Sequence, residues 1–313
     1  MDPAEIAATD ASASVFMKEG IRLLEESTSN GEAALALFDR ALELRSRLPM
    51  DVPAHAYGLA ACWLNRADAL ARIGGLDWTT HALGAYDEAV ALLRPLALDD
   101  DVRFPRRLAI AYQNRALVLV SQDPPATADA AATLTEAIAV LEQSGAFDDR
   151  EHLLAVVWMN LANVHAIAGT DGSDLAARHA AQHAIAQVAP HEREYIGAAQ
   201  VGLSARVVVC QTIARRLPNV AAGDTMPEEV HEATDFVDEG LSVVRHWEQQ
   251  GPTPFRNIAA DLFRFGARVY IHYQPHFLNE FVRENLDPEG SSQEYVESAE
   301  MQNVAHELAP YLS

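Results

Sequence analysis

The chain has 313 residues, of which 49% are hydrophobic and 7% aromatic, and it carries a net charge of -22 from 45 acids against 23 bases. That balance excludes an autonomous nucleic-acid binder, which needs a basic face to displace counterions from phosphate, and it disfavours binding to anionic membranes. Abundant Ala without long Val/Ile/Thr alternation points to close-packed helices, an all-α chain.

Residues 1–12, "MDPAEIAATDAS", are expected to form a disordered tail. A four-fold unit follows over residues 13–190. Its first helix carries an aromatic, a small residue four later and a third residue seven later: Phe16, Gly20, Leu23; Trp63, Ala67, Leu70; Tyr112, Ala116, Leu119; Trp158, Ala162, His165. These positions share one helical face, which must pack on something. A second helix carries Ala, a second residue four on and Ala three further: Ala34, Phe38, Ala41; Ala82, Tyr86, Ala89; Ala130, Leu134, Ala137; Ala177, Ala181, Ala184. Small residues at matched places let two backbones approach, with the aromatic filling the gap beside them. Each unit is therefore read as a helical hairpin. The turns "STSNG", "GGLDWTT", "SQDPPAT" and "GTDGS" agree, and Pro95 and Pro190 close second helices.

Over residues 191–313 the pattern loosens. A helix is expected at about 192–216, then a loop, with Thr225 and Glu228 spaced as a capping box around Pro227. Ala233, Val237 and Gly240 repeat the second-helix signature, and Leu262, Gly266 and Val269 the first-helix one. A short helix follows Pro275, and Ser291 and Glu294 are spaced as another box. Residues 221–313 hold 17 acids and 5 bases, so acidic capping helices are expected to close the same stack, which comes to about 11–12 helices.

The repeated signature resembles the tetratricopeptide repeat family, well over residues 13–190 and weakly over 230–275. The resemblance implies an α-α superhelix, a solenoid of antiparallel hairpins. Two departures stand out. The spacings here are 46 to 49 residues rather than about 34, and the bulky apolar expected before the small residue is replaced by Arg66 and Arg115, though kept at Leu161. Each guanidinium serves either a structural ion pair or a binding surface. In proteins similar to this family, the residue two after the aromatic faces a concave groove. That row reads Lys18, Asn65, Asn114, Asn160 and, in the weaker region, Arg264. Asp68, Arg72, Gln113 and Asn163 fall near the same face, as do Leu117 and Met159. An amide donates and accepts at once, which suits the main chain of a bound segment; the alternative is that the amides bond neighbouring helices within the array.

Enzyme-like coincidences weigh little. His179 and His183 stand four apart without the acid of HExxH or a third ligand; Glu228 and His231 are better explained by capping; His165 reads as a core imidazole. No cofactor and no metal is expected. Cys62 and Cys210 read as buried thiols of a reducing compartment, with no disulfide. The first residues lack the layout of a secretory signal and no apolar run reaches the ~18 residues of a membrane span, so a cytoplasmic location is expected. The leading functional reading is a non-enzymatic scaffold or adaptor that binds a peptide or helix of another protein, with no nucleic acid and no membrane as partner. The alternatives are a ligand-sensing repeat regulator and an enzyme on a helical toroid. Self-association stays open.

Overall fold

The structure is a computed structural model that describes residues 1–75, 77–97, 101–215, 217, 226–251, 254–286 and 299–311. Every regular element among them is a helix, and thirteen α-helices are present: α1 Pro3–Glu26, α2 Gly31–Arg45, α3 Pro53–Ile73, α4 Trp78–Leu96, α5 Arg103–Val120, α6 Thr127–Gln143, α7 Arg150–Ala168, α8 Asp171–Val188, α9 Ile196–Ala214, α10 Glu228–Glu248, α11 Arg256–Tyr273, α12 Leu278–Leu286 and α13 Ala299–Leu308. The chain has an all-α, helical-repeat fold. It divides into two compact units, Met1–Arg150 and Glu151–Ser313.

In the first unit α1 packs on α2, α2 on α3, α3 on α4, α4 on α5 and α5 on α6. Their short connections make consecutive helices antiparallel neighbours. The residues expected to be a tail are helical from Pro3: the Asp2 side chain accepts the Glu5 N–H at 2.8 Å, and Pro3 sits where a missing N–H costs nothing. Ala13, Met17, Gly20 and Leu24 then form the buried stripe of α1. The signature is realised as packing. A Cβ on Gly20 would come within 2.5 Å of the Phe38 ring, so α1 and α2 approach as closely as they do only because that place is empty. Ala34, Phe38 and Ala41 are fully buried beneath it. Gly74, at φ 67° and ψ -145°, ends α3 in a positive-φ conformation that favours glycine.

Arg66 and Arg115 take the structural role. Arg66 Nε reaches Asp39 of α2 at 2.8 Å and Arg115 Nε reaches Asp87 of α4 at 2.7 Å. The two pairs occupy the same register, each linking a second helix to the first helix of the next hairpin. At the following repeat the sequence places Thr135 and Leu161 in that register, so both charges are dropped together. Arg45, at the end of α2, is more deeply committed: it donates to Asp10 at 3.1 Å, Ser14 at 2.9 Å and the Gly58 carbonyl at 2.7 Å.

In the second unit α8 packs on α9, α9 on α10 and α11, and α11 on α10, α12 and α13. Thr170 and Ser173 cap α8 reciprocally. Pro227 stands at the N-cap of α10 rather than within its first turn, and no side chain caps it; Thr225 lies outside the described residues. Ser291 and Glu294 also lie outside them. The weaker signature nevertheless packs: Gly240 of α10 faces Leu262 of α11, and Gly266 of α11 faces the Phe281 ring at 2.5 Å from an added Cβ, as Gly20 faces Phe38. The expectation that no apolar run reaches the length of a membrane span does not hold. Ile196–Ala214 is long and apolar enough for a membrane span, with mean hydropathy 1.3, but 67% of that stretch is buried, and its side chains are used in packing the second unit.

Candidate functional site

Three first helices of the first unit, α1, α3 and α5, carry the expected polar row, and the structure joins part of it. Asp68 of α3 is the centre. Its Oδ1 accepts the Tyr86 hydroxyl of α4 at 2.5 Å and the Asn114 amide of α5 at 3.4 Å. Arg72, one turn further along α3, lies close enough to act on Asp68 electrostatically and donates to the Leu24 carbonyl of α1 at 3.0 Å. Asp68, Arg72 and Asn114 thus bridge three first helices. Leu117, in the register of Asp68 on α5, remains 49% exposed and adds an apolar patch.

The electrostatics of Asp68 oppose its charge. Burial pushes its carboxyl above the usual carboxylate range, against the opposing pull of the Tyr86 hydroxyl, the Asn114 amide and Arg72. The Tyr86 phenol is pushed up in turn, by burial and by Asp68. A raised acid binds its proton more tightly in the folded chain than in the unfolded one. Its contribution to stability is full below about pH 4, the unfolded value, and is lost as pH rises through the folded value. Asp68→Asn, which cannot ionise, is therefore expected to leave stability at pH 7 unchanged or improved, with the gap to wild type closing on acidification. Urea titrations at pH 7.5 and pH 4.5 check this; a variant clearly less stable at pH 7.5 contradicts it.

The remaining row residues are placed differently. Asn65 donates its amide to the Ala61 carbonyl of its own helix at 2.8 Å, leaving its oxygen for other partners. Lys18 is exposed on α1. Gln113 is half-buried, with an Oε1 that has no hydrogen-bond partner. Asn160 and Asn163 belong to the second unit; Asn160 is 9% exposed, and Asn163 donates to the Met159 sulfur at 2.9 Å. Arg264 pairs with Asp261 at 3.1 Å and Glu307 at 3.2 Å.

Other singled-out groups serve packing. His179 and His183 are exposed, and His183 stacks on Trp158 with ring centroids 4.5 Å apart. His165 is half-buried, and burial lowers its pKa. Burial raises both cysteine thiols, for Cys62 against the effect of the Arg45 guanidinium. Among the described residues no three His, Cys, Asp or Glu side chains gather as metal ligands.

Sequence reasoning missed a second polar centre. Arg206, in the middle of α9, is 2% exposed and forms an ion pair with Glu192, itself 4% exposed, with a second arm to Glu192 at 3.1 Å and to Glu239 at 3.2 Å. A cavity of 730 Å³ opens beside it, walled by Glu192, Arg193, Asp238, Glu239 and Ser242. The available signal was an arginine breaking an otherwise apolar helix.

No protein-family model matches the chain, and neither does any curated protein. Among solved structures the chain is similar to a Rap protein complexed with Competence and Sporulation Factor, at 14% identity over 96% of this chain and 76% of that one, with a TM-score of 0.46. A likeness of that degree decides neither family nor function.

Proposed function

We propose that the chain is a non-enzymatic interaction module of the tetratricopeptide type, whose first unit takes a segment of another protein along the face carrying Lys18, Asn65, Asp68, Arg72, Asn114 and Leu117. The observation that carries this reading is Asp68. Its carboxylate draws donors from two neighbouring helices, Tyr86 of α4 and Asn114 of α5, within the polar row, and Leu117 stands exposed in the same register on α5. Asp68 and the Asn65 oxygen, three residues apart on α3, offer acceptors to the main-chain N–H groups or a basic side chain of an extended segment, and Leu117 suits an apolar neighbour on it. The mixture of amides, charges and an exposed apolar side chain fits a peptide better than a rigid metabolite.

The sensor reading draws its support elsewhere, from the cavity beside Arg206, which has room for a small ligand. Selection of displayed random peptides on the intact chain tests the first reading. Wild type is expected to enrich a consensus with a basic or donor-rich position next to an apolar one. Asp68→Ala with Asn114→Ala should lose that consensus, at least about tenfold in affinity. Equal enrichment by the double variant would remove the face from consideration.

A further inference from the structure

The last α-helix described, α13, lies against α11 of the second unit. Val304 and Leu308 are its anchors, 0% and 5% exposed. They stand four apart and so share a face, and Glu307 beside the second anchor reaches Arg264 of α11 at 3.2 Å. Beside Leu308 and Glu307 lie apolar side chains of α9 and α11, Val207, Cys210 and Phe265, together with Arg264, Arg268 and Asp261. Two arginines against one acid, Asp261, which pairs with Arg264 at 3.1 Å, leave this groove with a basic excess in a chain of net charge -22. Leu308 does not fill it: a cavity of 270 Å³ remains between these residues and the end of α13.

Three physical facts describe the hold on α13. A helix of ten residues does not keep helical form alone in water, so the groove supplies its order. Its ion pair is half-exposed, with 37% of the Arg264 and 56% of the Glu307 side chain accessible, and such pairs add little grip. The unfilled space means that contacts available to a larger anchor are not made.

We propose that α13 is a resident, displaceable occupant of the α9–α11 groove, and that this groove takes from a partner protein an acidic amphipathic helix with two apolar residues four apart and an acid beside the second. The occupied groove is the closed state, and the partner's helix replaces α13 by making the same contacts with a bulkier anchor in the remaining space. This is helix-in-groove recognition, with the chain carrying its own competitor. It is independent of the face around Asp68.

The test uses the full chain and a fluorescent peptide of residues 299–311 as probe. Val304→Asp with Leu308→Asp should release α13, and the released variant should bind the probe at least about tenfold more tightly than wild type, because self-occupancy reduces the competent fraction. Adding Arg264→Ala to that variant should weaken binding by about threefold or more. Should the double substitution unfold the second unit, native hydrogen exchange on wild type decides instead. Amides of α13 should exchange about a hundredfold faster than those of α11, and Arg264→Ala alone should speed α13 while leaving α11 unchanged. Probe binding that is absent from the folded, released variant, or equal in both proteins, overturns the proposal. So does exchange of α13 in step with α11, which would make it an integral end cap, and so does exchange of α13 between two copies seen as a dimer.

Discussion

Glu192→Ala is expected to destabilise the second unit by about 3–5 kcal/mol, because it leaves the Arg206 guanidinium buried with its main partner gone. Arg206 is 2% exposed and cannot turn to water without disturbing α9. Its surroundings are also fixed: an added Cβ on Gly202 would collide with the Glu192 carboxylate, and one on Gly240 would come within 3.2 Å of the Arg206 side chain. Glu239, 61% exposed, is too solvated to compensate. In a thermal scan the transition of this unit should fall by about 6–20 °C. Glu192→Leu with Arg206→Met should recover most of the loss, since removing both charges removes the unpaired one. A loss below about 1 kcal/mol for Glu192→Ala would mean that water from the neighbouring cavity already solvates the pair.

Phe38→Ala is expected to cost a similar amount, about 3–5 kcal/mol, through the cavity it leaves between α1 and α2. The ring is fully buried against Gly20. The same contact predicts the reverse effect for filling: Gly20→Ala should cost about 1–3 kcal/mol, because the added methyl has to displace an aromatic ring. The two sites are therefore coupled. Gly20→Ala combined with Phe38→Leu should be less damaging than the sum of the single changes by about 1 kcal/mol or more. Urea denaturation of the four proteins completes the cycle; simple additivity would show that the ring does not depend on the empty place opposite it.

The hairpins were legible because their packing needs small residues at fixed places, and small residues are visible in a sequence. Gly20 with Phe38, and Gly240 with Leu262, are contacts that the repeat pattern requires before any coordinates exist. Phe281, which covers Gly266 in the same way, lies outside the repeat signature, because α12 is only nine residues long and its buried stripe, Leu278, Phe281 and Asn285, lacks the Ala places of a second helix. The start of α1 was misread for a different reason. An acidic, Ala-rich stretch looks like a tail by composition, whereas Asp2 and Pro3 are a start signal, and the acceptors Asp10 and Ser14 are needed by Arg45 far along the chain. The polar face was half legible. Periodicity could place Asn65, Asp68 and Arg72 on one side of α3, but not which group each would bond. Asn65 turned to its own helix, while Asp68 gathered donors from two others. The Arg206 pair was hidden because Glu192 lies outside any repeated register.

The extensive helix contacts of the first unit join neighbours along the chain, α1 with α2, α2 with α3, and so on to α6. Such a topology has low contact order: ordering can begin at any hairpin and spread outward, without waiting for distant segments to meet. Opening should follow the same route in reverse, starting at a terminal hairpin. At that end Arg45, which ties α1 to both α2 and α3, acts as a clasp against unzipping.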